Sequence, residues 1–189
     1  MRGIIAHFNA QSLGPRVPDP APVKVVGVYR DVSDYIMATH QLQRIANRCP
    51  LVGDFESTWW SFDALKQPRE VQEAARAAAE ADLIWCSACA CEPLPKEVAA
   101  WVRQWSVDHS KPDAALVSLL RCPLSGDFER SPTRLCLCNA ARVAGVEFFE
   151  RRLVCDCPQA DDPLTGIGIP PPAAGTPGDR QIRWWGINE

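Results

Sequence analysis

Long apolar runs, an excess of charge of one sign, and histidine are what this sequence has least of. No stretch reaches the roughly 18 to 20 apolar residues that span a bilayer. Ahead of His7 the apolar run is only four residues long, too short for a signal-peptide core. Neither membrane insertion nor export is expected, and the chain reads as cytoplasmic. Lysine and arginine total 20 against 23 acids, a formal charge of −3. That balance supplies no positive field to gather a phosphate backbone, so nucleic acid is not an expected partner. The three histidines are His7, near the start, His40, inside a helical pattern, and His109, ahead of an apolar run. None is placed to join the cysteines or to serve as their base.

What the sequence does have is nine cysteines in 189 residues. An odd number cannot all pair internally, and a reducing compartment keeps thiols free. Metal ligation, redox chemistry or service as small buried hydrophobes remain. The length suits one domain with tails, large enough to bury a core without staples.

Three near-continuous apolar runs, VKVVGVY (23 to 29), DLIWCSA (82 to 88) and AALVSLL (114 to 120), have the character of strands buried on both faces. DFESTWWSF (54 to 62) and VEFFERRLV (146 to 154) mix charge into the run, as strands at the margins of a sheet do. Helical spacing separates them. Tyr35, Ala38, Leu42 and Ile45 mark one helix, with Ser33 placed to cap it; Val71, Ala74, Ala75 and Ala78 mark a second; Val98, Trp101, Val102 and Trp105 a third. The fourth has Ser131 as N-cap, Pro132 in its first turn, the stripe Leu137, Ala140, Ala141, Ala144, and Gly145 as its stop. Five strands alternating with four helices predict an α/β three-layer sandwich, a five-stranded parallel sheet in the order 2-1-3-4-5 with helices on both faces.

Around that domain, 23 to 154, residues 1 to 22 read as a leader and 155 to 180 as a proline- and glycine-rich linker. QIRWWGINE, 181 to 189, is too apolar for a purely solvated tail; Trp184 and Trp185 are expected to dock on the domain, on a protein partner or on a second copy.

The alternation over 23 to 154 resembles the flavodoxin-like and response-regulator-receiver group. Trp60-Ser61-Phe62-Asp63, Ala81-Asp82-Leu83-Ile84, Leu94-Pro95 with Trp101, and the closing Trp185-Gly186-Ile187-Asn188-Glu189 also resemble stretches of a small bacterial family of such domains, a resemblance that implies no activity. A flavodoxin cradles the FMN phosphate in a hydroxyl- and glycine-rich loop after its first strand. Here that loop is YRDVSDY, whose Asp31 and Asp34 repel phosphate, so FMN is not expected, although Trp59, Trp60 and Trp85 are of a kind that stacks on a flavin ring. A receiver's phosphorylatable aspartate would fall at Ala88 or Cys89, and its lysine near Cys155, which removes receiver chemistry. Asp31 reads instead as a capping or loop residue.

In open α/β sheets ligands bind outside the carboxyl ends of the strands. The motif CSACAC (86 to 91) puts Cys89 and Cys91 at one strand end, Cys122 follows the next, and Cys155 and Cys157 follow the last. These five are the candidate ligands for a soft metal: zinc, copper or an iron–sulfur cluster. The spacing matches no zinc-ribbon or ferredoxin pattern. Cys86, Cys49, Cys136 and Cys138 read as packing thiols. Near the start of the fourth helix, Arg121, Ser125, Gly126, Arg130, Ser131, Thr133 and Arg134 form a candidate anion site, with a solvated capped loop as the plainer reading. Three functions follow: a non-catalytic binding or regulatory module with a cysteine-rich edge, a thiolate-ligated metal or electron-transfer protein, and an enzyme acting on a small anion.

Overall fold

Aliphatic runs that would be insoluble alone become the middle of one sheet. The computed structural model describes residues 4–8, 21–48, 54–122 and 127–154. Strands β1 (Ile4–Phe8), β2 (Val23–Tyr29), β3 (Phe55–Ser61), β4 (Leu83–Cys89), β5 (Ala115–Cys122) and β6 (Glu147–Val154) lie in the order β1-β3-β2-β4-β5-β6. From β3 to β6 every pairing is parallel, so the five expected strands stand in the expected order 2-1-3-4-5. Helices α1 (Val32–Arg48), α2 (Pro68–Ala79), α3 (Lys96–Asp108) and α4 (Pro132–Ala144) make the crossovers, with a single 3-10 turn at Ala64–Lys66 before α2.

Alternate side chains of the central strands feed two cores. Val26, Val28, Ile84, Leu116 and Leu120 pack under α2, α3 and α4, where Trp101, Trp105 and Leu137 are fully buried. Val25, Trp59, Trp85 and Leu119 meet Ala38, Leu42 and Ala46 of α1 on the other face. Burying one such large apolar side chain is worth about 1.5–3 kcal/mol, which explains why the helical stripes face inward. Helix α4 is punctuated as its sequence reads: Ser131 Oγ accepts the Arg134 N–H, and Gly145 takes the left-handed conformation at φ 69°.

Three expectations are corrected. Residues 4–8, assigned to a leader, form β1, which pairs antiparallel with β3 and makes β3 an interior strand. So short a segment has no periodicity of its own, and the edge it covers is remote in sequence. Ser33 does not cap α1; Asp31 does, accepting the Asp34 N–H at 3.0 Å. Ile45 lies at the rim, 38% exposed, and its neighbour Ala46 takes the buried position. Segments 155–180 and 181–189 lie outside the described residues. Among the described residues no helix is long and apolar enough to cross a membrane.

Gly27 is required by packing. It sits beside Trp59 on the adjacent strand, and a Cβ there would lie 2.1 Å from two ring carbons of that indole. Trp59 is 1% exposed and has no room to retreat. Gly27→Ala should therefore destabilise the domain by about 2–3 kcal/mol, a fall in Tm of roughly 5 to 10 °C. In the Gly27→Ala/Trp59→Leu double variant the two losses should sum to less than their total, because the collision is gone; thermal melts of the four proteins measure this.

Candidate functional site

The chain runs outward from β2 to β3 and returns past β2 to β4, so the topological switch point lies between the carboxyl ends of β2 and β4. Three segments meet there: the β2–α1 turn, the end of β4 with its following loop, and the end of β5.

An arginine in an apolar strand organises this edge. Arg121, next to last in β5, reaches toward the β2–α1 turn. Its Nη2 donates to Asp31 Oδ2 in a short contact and to Asp34 Oδ2 at 3.2 Å. Its Nε lies 3.0 Å from Asp34 Oδ1, off the line of its N–H, an ion pair rather than a hydrogen bond. Asp34 is 1% exposed. Burial drives its carboxyl up, Arg121 opposes this and the Asp31 charge adds to it, so the net shift is upward. For Asp31 burial also pushes upward, but the Asp34 N–H and the Arg121 guanidinium outweigh it and hold its carboxyl below the ordinary value. Two carboxylates thus converge on one guanidinium, and Arg30 Nε lies a further 3.5 Å from Asp31 Oδ2.

Beside this network stand thiols. Cys89 ends β4, and its Sγ accepts the Cys91 N–H at 3.4 Å. Burial, together with the neighbouring Cys89 and Cys122 side chains, pushes the Cys91 thiol up to about 12. At neutral pH Cys91 is therefore protonated, the unreactive form. Cys86 is fully buried and also pushed up, chiefly by desolvation. Three of the five candidate thiols, Cys89, Cys91 and Cys122, are brought together; Cys155 and Cys157 lie outside the described residues. Among the described residues no group of three or more histidine, cysteine or carboxylate side chains is arranged to hold a metal ion.

The described members of the candidate anion site have partners within the domain. Arg121 faces the two aspartates. Arg134 donates to Glu150 at 2.7 and 2.9 Å and lies 3.1 Å from Glu129. Ser131 Oγ donates to the Ala90 carbonyl at 2.7 Å, and Thr133 Oγ1 donates to the Glu92 carbonyl at 2.6 Å, tying α4 to the β4 loop. Arg130 is exposed beside Asp127, and Ser125 and Gly126 lie outside the described residues. Nor do the tryptophans offer a flavin platform: Trp59, Trp60 and Trp85 are at most 3% exposed, all within the cores. His109 is held by the Ala78 and Lys111 carbonyls, away from this edge.

What opens at the switch point is a hollow of about 70 Å³, lined by Arg30, Phe62, Cys89, Glu92, Leu94 and Thr133 among others. Pockets for drug-sized molecules run to about 300–1,000 Å³, so this one accepts a side chain or a few waters. Sequence reading passed over the Asp31–Arg121–Asp34 network. Its signal was Arg121 itself, an obligate cation in the run ALVSLLRC, which has to meet acids reaching it from another segment.

No protein-family model matches the sequence, and no curated protein matches it. Among solved structures the chain is similar to an NADH:FMN oxidoreductase in its apo form, with 14% identity, 70% of this chain and 74% of that chain covered, and a TM-score of 0.47. It is also similar to ATP citrate lyase from Methanothrix soehngenii in complex with citrate and coenzyme A, with 5% identity, 79% of this chain and 38% of that chain covered, and a TM-score of 0.43.

The network makes a pH-dependent prediction. Arg121→Leu leaves Asp34 buried without its cation, which should cost about 3–5 kcal/mol at pH 8. A carboxyl raised above its unfolded value favours the protonated fold, so the variant recovers as pH falls through the raised Asp34 pKa. Asp31 works oppositely in the wild type: its lowered carboxyl contributes stability above the unfolded value and loses it in acid. Urea unfolding at pH 8 and pH 5 should show the gap between wild type and variant narrowing toward acid, and Asp34→Asn added to Arg121→Leu should flatten that dependence.

Proposed function

We propose that this domain is a non-catalytic binding module whose working surface is the carboxyl edge around β2, β4 and β5, and that its ligand is a protein. One observation carries the reading: the two aspartates and the arginine that meet at the switch point are engaged with one another, and the Cys91 thiol beside them is held neutral. Asp31 and Asp34 are committed to Arg121, Arg134 to Glu150, and the Cys91 thiol is pushed up to about 12. A general base needs a carboxylate or imidazole free to take a proton near neutral pH, and a nucleophile needs a thiolate. Neither is supplied by these groups.

The shape of the edge favours a macromolecule over a metabolite. The hollow of about 70 Å³ takes an inserted side chain and little more. Beside it the first turns of α1 hold Val32 and Ile36 in water, 69% and 58% exposed and four residues apart on one helix face. Two exposed branched side chains next to a rigid, internally paired polar edge offer the apolar anchor and fixed rim that protein interfaces use.

Thiol reactivity tests the reading. Brief treatment of the native full-length protein with iodoacetamide at pH 7 should modify exposed Cys138 and leave Cys89, Cys91 and Cys122 intact, as read by peptide mass spectrometry. A bound protein partner should be released by Val32→Glu/Ile36→Glu with the far-UV spectrum unchanged. Fast alkylation of Cys91, or stoichiometric zinc, copper or iron in anaerobically purified protein, would replace this reading with a thiol enzyme or a metal protein.

A further inference from the structure

The two faces of the sheet are covered unequally by the described residues. Helices α2, α3 and α4 cross one face, whereas α1 alone lies on the other, centred over β2 and β4. Beyond α1 that second face continues onto β5 and β6, where the register sets Val117 beside Phe149 and Arg121 beside Leu153. Phe149 is 53% exposed, Val117 is half-buried, and Ile45 on the near rim of α1 is 38% exposed. Arg151 donates to Gln41 Oε1 at 3.1 Å, which ties α1 to β6 further along the strand. The apolar strip of Ile45, Val117 and Phe149 is left facing outward.

We infer that residues 181–189 of the same chain cover this strip, with Trp184 and Trp185 packed on Phe149 and Val117. Three features carry the assignment. The chain leaves the sheet from β6 itself, at Val154, on the flank where the strip lies. Residues 155 to 180 then provide 26 positions of proline- and glycine-rich sequence, a covalent span of up to about 90 Å. That exceeds the length of β6, eight residues at about 3.3 Å each, so the closing segment is within covalent reach of the whole strip. Covalent attachment makes the contact intramolecular, so a small apolar area suffices to form it. The segment also fits chemically. Ile182, Trp184, Trp185 and Ile187 give it the apolar payload of a missing layer, and Arg183 can face Glu147, which stands exposed on the same face of β6 one position beyond Phe149 in the side-chain alternation.

A photo-crosslinking residue (benzoyl-phenylalanine) in place of Phe149 in the full-length chain tests this directly. After illumination, the expected product runs as monomer and carries a crosslink to the peptide containing Trp184 and Trp185. Trp184→Ser/Trp185→Ser should abolish it. Hydrogen exchange gives an independent readout: in that double variant, and in a chain ending at 180, amides of 147–154 should exchange about tenfold faster or more, while those of 83–89 stay unchanged. A crosslink found in a dimer band would assign the strip to a second copy. A crosslink to other segments, or exchange in 147–154 indifferent to both variants, would overturn the inference outright.

Discussion

Arg121 is the constraint on which the carboxyl edge depends. A guanidinium cannot shed its charge near neutral pH, so once it stands at the end of a strand inside an α/β sandwich the fold must bring acids to it. Asp31 and Asp34 come from a different strand's exit, and the same contacts cap α1 and fix where that helix begins. Three elements are thereby registered at one point: the end of β2, the first turn of α1 and the end of β5. A buried network of this kind adds little net stability over an apolar replacement, and its value lies in fixing one arrangement.

The thiols fit the same logic. Cys86, Cys89 and Cys122 are buried in a sheet that leaves little volume next to Trp59, Trp85, Trp101 and Trp105, and cysteine is a small apolar residue in such a place. Cys91 closes the loop between them, and burial, joined by the mutual proximity that makes a cysteine cluster look like a ligand set, drives its thiol toward the neutral form. The hydroxyls of Ser131 and Thr133, which a motif reading sets aside for an anion, anchor α4 to the loop after β4 instead. Polar groups at this edge serve to hold loops in place.

The parallel core was legible in the sequence because near-continuous apolar runs such as VKVVGVY have one economical destination, and because Val98, Trp101, Val102 and Trp105 repeat with helical spacing. Helix α4 was legible down to its caps, since Ser131, Pro132 and Gly145 each act through local backbone chemistry. What escaped depended on remote partners. Strand β1 exists because β3 offers it an edge some fifty residues downstream, the β1 register pairing Ile4 with Trp59. The Asp31–Arg121–Asp34 network joins segments about ninety residues apart, and neither half announces the other. Convergence of Cys89, Cys91 and Cys122 was readable from topology alone, whereas the protonation of Cys91 depends on burial and on its neighbours, which spacing does not encode.

The pairing of Gly27 with Trp59 also governs how this sequence can change over generations. The Trp59 indole beside Gly27 forbids any methyl group at position 27, because two carbons cannot share the space. Shrinking the ring first leaves a void into which neighbours can partly settle, whereas adding the methyl first produces a collision with no relief. The two positions therefore form a one-way gate: in any lineage that departs from this arrangement, residue 59 must move before residue 27.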